Sequence, residues 1–238
     1  DCVVAVGGGV VGDLSGFAAS CYMRGIDFYN VPTTLLAQVD SSIGGKTAID
    51  FGGVKNSVGA FYPPKGVLID PDTLQTLPAR QRSAGMAEII KIAATSDEAL
   101  FSLLEQCDDT ALPEIIRRAL CLKRDIVQLD PKENGLRRVL NFGHTIGHAV
   151  ESCAGGALLH GQCVALGMLP MCAPSVRGRL RAVLERYGLP TKIEQPPEAL
   201  LPYLLHDKKA EGDAVTVVYV DRIGSFRFVR RTPAQILN

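Results

Sequence analysis

The spacing of hydrophobic residues changes along the chain. Up to about residue 78, apolar residues form short β-branched runs between glycine-rich segments, which predict strands with connecting helices. Longer segments with helical periodicity follow, with helix starts near Pro113 and His160. Two late apolar runs, 214–220 and 224–229, predict a β-hairpin. We therefore expect an α/β domain over 1–78 and a mainly α-helical domain with a late hairpin over 79–238.

The first apolar run ends in a glycine-rich loop. Gly7, Gly9 and Gly12 have G-x-G-x-x-G spacing and follow a strand-like segment. Such glycines let the backbone approach a pyrophosphate, and the helix that follows presents free N–H groups to it. The acidic residue expected about twenty positions later, at the end of a second strand, is missing. The segment predicts a partial Rossmann-like nucleotide site, and a purely structural glycine turn stays open as the alternative.

A second stretch, 31–56, is rich in glycine and small polar residues. Its backbone N–H groups and the Lys46 ammonium suit an anionic ligand. The sequence Gly44-Gly45-Lys46-Thr47 ends like a Walker loop, but the position of that motif's first glycine is occupied by Asp40. ATP hydrolysis is therefore not predicted.

Three of the four histidines fall within one short window. His144 and His148 are four residues apart and share a helix face, and His160 follows a glycine-rich turn that can bring it back to them. Imidazole is a common zinc ligand, so the cluster predicts a metal site. A zinc protease helix would carry glutamate where Thr145 stands, so a protease is not predicted.

Charged residues also interrupt apolar helical segments. Glu88 and Lys91 are the only polar residues in the run 85–94, which predicts a buried carboxylate that either pairs with the lysine or binds metal. Lys123 lies on the apolar stripe of a later helix, where it either extends its ammonium to water or faces a site. Arg137 belongs to a pair of adjacent arginines that, taken alone, suggests ordinary surface.

Composition limits the possible partners and compartments. Lys plus Arg and Asp plus Glu number 25 each, so no overall field favours nucleic acid or acidic membranes. No apolar run approaches the roughly eighteen residues of a membrane helix, and the start has no signal-peptide pattern. We expect a cytoplasmic protein whose seven cysteines, which lack CxxC spacing, are reduced thiols.

These motifs together resemble the 3-dehydroquinate synthase family of sugar phosphate cyclases, nearly from end to end. The resemblance is carried by Gly7–Asp13, Arg24-Gly25, 31–35, 38–42, 44–47, Lys55-Asn56, 59–62, Glu88–Lys91, Asn141–His148 and Leu159–Gly161. It implies a homodimer that binds NAD and a divalent metal, zinc or cobalt. It also implies conversion of a small-molecule sugar phosphate, 3-deoxy-D-arabino-heptulosonate 7-phosphate, to 3-dehydroquinate with loss of phosphate.

The resemblance also assigns residues. It makes Glu88, His144 and His160 the metal ligands, although spacing alone would include His148. The implied NAD residues are Gly8, Gly9, Val10, Val11, Gly12, Asp13, Thr33, Thr34, Asp40, Lys46, Lys55, Thr73, Leu74, Gln75 and Thr76. The implied substrate and catalytic residues are Lys46, Asn56, Lys91, Lys123, Arg137, Asn141, His148 and Lys208, with Arg24 reaching the neighbouring subunit's substrate. Spacing does not separate Lys208 from Lys209.

The chain departs from the family pattern in two ways. It begins inside what should be a mid-domain strand, so the usual first part of the nucleotide domain is expected to be absent. Gln162 stands where relatives usually carry glutamate, which predicts a modified environment for the metal. Three alternatives stay open: another sugar phosphate cyclase, a metal-dependent NAD polyol dehydrogenase, and an inactive nucleotide-binding fragment.

Overall fold

The computed structural model of the chain describes residues 1–106, 109–205, 210–211 and 214–237. The strands are β1 Cys2–Gly7, β2 Asp27–Pro32, β3 Lys46–Phe51, β4 Val54–Phe61, β5 Gly66–Val67, β6 Ala210–Glu211, β7 Ala214–Arg222 and β8 Ser225–Arg231. The α-helices are α1 Gly9–Cys21, α2 Ala79–Ser96, α3 Glu98–Gln106, α4 Leu112–Leu129, α5 His144–Ala154, α6 His160–Met168, α7 Pro174–Arg186, α8 Pro197–Leu205 and α9 Pro233–Leu237. Shorter 3-10 or π turns span Tyr22–Arg24, Ala37–Ser41, Pro71–Thr76, Asp109–Ala111, Leu136–Asn141 and Leu169–Met171.

The first part of the chain is an α/β layer. Strands β1, β2 and β5 form a parallel sheet in that order, and α1 connects β1 to β2. This arrangement confirms the predicted strand, loop and helix at the start of the sequence. Strands β3 and β4 form a separate antiparallel hairpin whose turn residues, Gly52 and Gly53, have φ of 61° and 75°. Two consecutive left-handed residues suit the two-residue turn of a twisted hairpin.

Helix α2 lies at the centre of the remaining structure. Every residue from Ala84 to Thr95 is buried, because α3, α4, α6 and the late hairpin pack around it. The prediction of a buried helix at 85–94 is confirmed. Helices α5 and α6 also pack closely, since a Cβ added to Gly167 would lie only 2.0 Å from the carbonyl oxygen of Gly143. The metal-binding candidates lie on these three helices.

The late hairpin is also confirmed. Strand β7 pairs antiparallel with β8, and its residues Val215, Val217 and Val220 are buried. The predicted helix starts agree with α4, which has proline in its first turn, and with α6. Helix α2 begins at Ala79. The division of the chain into two domains after residue 78 stays a prediction.

Two further observations bear on the expectations from composition. Within the part of the chain that the structure describes, no helix combines the length and hydropathy that crossing a bilayer requires. The cysteines in that part are free thiols, and Cys107 lies outside it.

Candidate active site

Glu88 occupies the centre of the candidate metal site. Its side chain is 2% exposed, and Oε2 accepts a hydrogen bond from the buried ammonium of Lys91. Burial opposes the charge on Lys91, but the carboxylates of Glu88 and Asp40 together outweigh it and raise the lysine pKa. The other oxygen, Oε1, has no hydrogen-bond partner among the described residues. It lies 3.8 Å from Nε2 of His144 and 3.6 Å from Nε2 of His160. One carboxylate thus forms the ion pair and still presents a free oxygen to two imidazoles.

The hydrogen bonds of His144 and His160 identify their tautomers. Nδ1 of His144 lies 3.2 Å from the carbonyl oxygen of Phe142, and Nδ1 of His160 lies 3.1 Å from Oε2 of Glu151. Because a carbonyl or an ionised carboxylate only accepts, each Nδ1 carries the proton. In the neutral form of each ring, Nε2 is therefore the unprotonated nitrogen, and it faces Oε1 of Glu88. Burial, with a smaller contribution from Lys91, holds the pKa of His144 well below its usual range, so this ring is neutral, as a metal ligand must be.

His148 completes the histidine cluster but differs in exposure. His144, His148 and His160 each place one ring nitrogen within 4.8 Å of a ring nitrogen of the other two. The ring centroids of His144 and His148 are 5.2 Å apart, which confirms that they share one face of α5. His148 is exposed, whereas His144 is buried. The structure therefore brings all three histidines together and leaves His148 open to solvent.

Two glycines permit this assembly. Gly143, immediately before His144, has φ of 77°, a left-handed conformation that favours glycine. Gly161 lies against α2, where an added Cβ would come within 1.9 Å of the carbonyl oxygen of Ala84. Any larger residue at 161 would separate α6 from α2. The glycine next to His160 is therefore what lets that histidine reach Glu88.

Lys123 faces the site from α4. Its Nζ donates to Oδ1 of Asp40 at 2.5 Å and also to the Asp40 backbone carbonyl. The lysine side chain is 7% exposed, so the alternative that its ammonium extends to water is wrong. Burial lowers the pKa of Lys123 against the opposing effect of Asp40. Burial also disfavours the charged form of Asp40, but Lys123 and Lys91 together outweigh it and hold the aspartate pKa well below its usual range.

Three more predicted substrate residues meet around the loop before α5. Lys46 forms an ion pair with Glu133, whose Oε1 accepts from Nδ2 of Asn141 at 2.6 Å. Arg137 is buried, and its Nη2 donates to the carbonyl oxygen of Gly44 at 3.0 Å. The suggestion that this arginine belongs to ordinary surface is therefore wrong. Glu133 was missed by sequence reasoning, since a single exposed-looking glutamate in a loop carries no distinguishing pattern.

The predicted nucleotide segments also come together. Helix α1 begins at Gly9 with no acidic residue in its first turn, so its free N–H groups are available to an anion. A Cβ at Gly8 would lie 3.0 Å from the Thr34 side chain, so the glycine loop touches the second predicted segment. Nε2 of Gln38 donates to Oγ1 of Thr73 at 3.0 Å, which joins the second segment to a third one, residues 73–76. Burial, reinforced by Asp40, raises the pKa of Asp13 to about 6.

Some predicted residues are not placed in the cluster. Arg24 and Asn56 are exposed and have left-handed backbone conformations, with φ of 66° and 50°. Lys208 and Lys209 lie outside the described residues. Gln162 accepts from the backbone N–H of Leu159 at 3.0 Å and from Nη2 of Arg80 at 3.3 Å. Its amide therefore stabilises the start of α6.

Glu151 is a second residue that sequence reasoning missed. It lies at the end of the histidine window, where its oxygens contact His160 and Nζ of Lys55, the latter at 2.5 Å. Its spacing of seven from His144 and three from His148 was the available signal, because these intervals place it on the same helix face.

Solved structures of two cyclases resemble this chain over almost its whole length. The 2-epi-5-epi-valiolone synthase of Streptomyces hygroscopicus subsp. jinggangensis 5008, which has NAD⁺ and Zn²⁺ bound, is 33% identical with a TM-score of 0.89. The match covers 98% of this chain and 71% of that one. A 2-deoxy-scyllo-inosose synthase complexed with carbaglucose-6-phosphate, NAD⁺ and Co²⁺ is 28% identical with the same TM-score, over 99% of this chain and 71% of that one.

Sequence comparisons are more specific. The 3-dehydroquinate synthase of Latilactobacillus sakei subsp. sakei (strain 23K) is 50% identical, over 94% of this chain and 66% of that protein. The chain thus spans about two thirds of the length of the curated relatives that it matches. Residues 1–84 match the family 3-dehydroquinate synthase N-terminal, and residues 85–210 match 3-dehydroquinate synthase C-terminal. Nearly the whole chain is covered by these two matches, and it therefore belongs to the 3-dehydroquinate synthase family.

Proposed function

We propose that this chain converts 3-deoxy-D-arabino-heptulosonate 7-phosphate to 3-dehydroquinate and phosphate, a carbon–oxygen lyase reaction with transient oxidation by NAD. The observation that carries the proposal is the unpartnered Oε1 of Glu88, which faces Nε2 of His144 and of His160 in a site surrounded by cationic side chains.

The buried carboxylate and imidazoles fit a divalent metal. A buried carboxylate oxygen without a partner is unfavourable unless it meets a cation, and the Nε2 atoms of His144 and His160 both lie within 4 Å of that oxygen. Glu88, His144 and His160 hold zinc or cobalt in this proposal. When bound, the metal supplies a Lewis acid for the substrate oxygens and NAD supplies a hydride acceptor.

NAD binds across the three segments that Thr34 and Gln38 bring together. The N–H groups at the start of α1 bind its pyrophosphate, because a helix N-terminus without acidic residues attracts anions. Lys55 lies on the hairpin beside this region and is tied to α5 through Glu151. In this proposal the hairpin connects the nucleotide segments to the metal site.

The cationic side chains bind and orient the substrate, which carries a carboxylate and a phosphate. Lys46, Lys123 and Arg137 each already have a protein acceptor that holds the side chain in position. Fixed cations of this kind lower the entropic cost of orienting a flexible polyanion and stabilise charge that develops during phosphate loss. Asn141, Lys91, Asn56 and Lys208 complete the proposed substrate set.

His148 transfers protons in this proposal. It stands beside the metal candidates but is exposed, so its imidazole reaches substrate and solvent while the buried His144 does not. A histidine that is not ligating metal is suited to exchange protons near neutral pH. Arg24, exposed on the turn after α1, contributes to the neighbouring subunit of a homodimer.

The cyclase is favoured over the alternative activities. A polyol dehydrogenase has no need for the cationic set Lys46, Lys55, Lys123, Arg137 and Lys208, and it consumes NAD stoichiometrically. The 2-epi-5-epi-valiolone synthase and the 2-deoxy-scyllo-inosose synthase, at 33% and 28% identity, are less similar to the chain than the 50% identical 3-dehydroquinate synthase.

The experiment that tests the proposal is a phosphate-release assay with the sugar phosphate, NAD and ZnCl₂, in which NADH absorbance is followed simultaneously. Phosphate release without accumulated NADH is the expected result. NADH accumulation without phosphate would favour the dehydrogenase. If the protein unfolds cooperatively but yields neither phosphate nor NADH, the inactive-fragment alternative is favoured. The His148→Ala variant, which leaves the proposed metal ligands intact, is expected to lose turnover but retain zinc.

A further inference from the structure

Glu151 connects two groups that the proposed function assigns to different cofactors. Its Oε2 accepts from Nδ1 of His160 at 3.1 Å, and its Oε1 accepts from Nζ of Lys55 at 2.5 Å. His160 is a proposed metal ligand and Lys55 a proposed nucleotide residue. Glu151 itself is neither a proposed metal ligand nor a residue of the glycine loop. We propose that Glu151 is a positioning residue that holds His160 in its metal-binding tautomer and fastens the β3–β4 hairpin to the metal site.

The position of Glu151 on α5 explains how it reaches His160. His144, His148 and Glu151 are spaced at i, i+4 and i+7, so they form one stripe along the helix. Helix α6 packs directly against α5, where the glycines at 143, 147 and 167 allow close approach. The stripe therefore faces His160 at the start of α6. The histidine cluster and the carboxylate that orients one of its members come from the same helix.

The hydrogen bond determines which nitrogen of His160 faces the metal. An imidazole can present either nitrogen, and only the deprotonated one can bind a cation. With Nδ1–H donated to Glu151, Nε2 is the unprotonated nitrogen of the neutral ring, and it lies 3.6 Å from Oε1 of Glu88. Such carboxylate–histidine pairs typically raise metal affinity by about 10–100-fold. Removing the Glu151 carboxylate takes away the acceptor of Nδ1–H and leaves the ring free to rotate.

The contact with Lys55 adds a link to the hairpin. The Glu151 side chain is 19% exposed, and the lysine stands 57% exposed on β4. Through this contact the Lys55 ammonium is the countercharge of the Glu151 carboxylate and holds its side chain in place. Removal of Lys55 is therefore expected to weaken the hold on His160, and only through Glu151.

Zinc affinity measured by competition with a chelating dye tests this inference without any turnover. The variants are Glu151→Gln, Glu151→Ala and Lys55→Met, together with the double variant E151Q/K55M. We expect about tenfold weaker zinc binding for Glu151→Gln, which keeps a neutral acceptor, and up to about a hundredfold for Glu151→Ala. Lys55→Met should weaken binding less, and should have no additional effect in the Glu151→Gln background.

The matched control is Glu105→Gln, which removes another partly buried carboxylate that pairs with Arg179. It should leave zinc affinity unchanged, and the metal-free unfolding temperature of Glu151→Gln should stay close to that of the wild type. Zinc affinity of Glu151→Gln within threefold of the wild type would overturn the positioning role. Additive effects of the two substitutions would overturn the link to the hairpin.

The inference rests on the metal site of the proposed function, but the two fail differently. Wild-type protein that binds no zinc would overturn both. Zinc binding that weakens as expected in the Glu151 variants, in a protein that releases no phosphate, would support the positioning role and overturn the proposed reaction. If Glu151→Ala does not fold, Glu151→Gln alone decides the question.

Discussion

Nζ of Lys123 lies 2.5 Å from Oδ1 of Asp40, although the two residues are 83 positions apart in the sequence. The pair joins α4 to the loop that carries the second nucleotide segment, and the lysine side chain is almost completely buried. A buried ion pair is costly to break from one side, because the remaining charge has lost its partner. This relationship therefore makes a clear prediction for stability as well as for substrate binding.

Lys123→Met should lower the free energy of unfolding by about 3 kcal/mol, the low end for a broken buried pair, because Asp40 keeps partial contact with water. The double variant D40N/K123M should recover most of that loss, since no unpaired charge remains. Chemical denaturation of the three proteins measures both values. Equal stability of the single and double variants would contradict the pairing.

Zinc should raise the unfolding temperature of the wild-type protein, because a ligand that binds only the folded state stabilises it. The shift should disappear in His144→Ala and His160→Ala, which each remove an Nε2 that faces Glu88. It should persist in His148→Ala. Loss of the shift in all three variants would instead identify His148 as a metal ligand, the set that histidine spacing alone suggests.

Gly161→Ala should destabilise the protein by about 3 kcal/mol and weaken zinc binding, because the added methyl group would collide with the Ala84 carbonyl and move α6 away from α2. Gly178→Ala is the matched control. Gly178 lies within α7 with nothing within 4 Å of an added Cβ, so the change should increase stability by up to about 1 kcal/mol. Thermal unfolding with and without zinc distinguishes the two. A Gly161→Ala protein as stable as the control would rule out the close helix contact.

Lys46→Met should lower kcat/KM for the sugar phosphate by about 10–100-fold, the usual value of a hydrogen bond to a charged group. Lys65→Met is the control, since Lys65 forms only an exposed ion pair with Asp27 at 3.5 Å. It should change kcat/KM less than twofold. Steady-state kinetics at fixed NAD and zinc provides the measurement, and equal effects of the two substitutions would remove Lys46 from the substrate site.

Asp13 should make stability depend on pH between about 4 and 6. Burial and the neighbouring Asp40 raise its pKa in the folded protein from an ordinary value of 3.8 to about 6. The native state therefore binds the proton more tightly than the unfolded state does, so this group's contribution to stability is greatest at low pH and is lost as pH rises through 6. The stability difference between Asp13→Asn and the wild type should accordingly increase in favour of the variant over this range. Parallel denaturation curves from pH 4 to pH 7 would contradict the raised pKa.

Local sequence patterns were sufficient to predict those elements whose own residues show a clear motif or periodicity. Examples are the glycine motif after β1, the four-residue interval between His144 and His148, and the apolar run around Glu88. The last two have helical periodicity. Such periodicity directly reports which residues share a face. The late hairpin was predictable for the same reason.

Pairings between distant segments required the tertiary structure. Sequence left Glu88 as either an ion-pair partner or a metal ligand, whereas the fold gives one oxygen to Lys91 and leaves the other facing two histidines. Lys123 could have reached water, and only the packing of α4 against the Asp40 loop turned it inward.

The sequence by itself determined the first strand, loop and helix, the buried helix around Glu88, the late hairpin, the clustered histidines and, through family resemblance, the residue types of the site. Tertiary structure alone decided that Glu133 and Glu151 belong to it, because each contacts partners far along the chain through one ordinary-looking carboxylate. Hydrophobic periodicity is a local property of the chain, but the charge that faces a given side chain depends on which helices pack together. That packing here follows from close contacts such as Gly161 against Ala84.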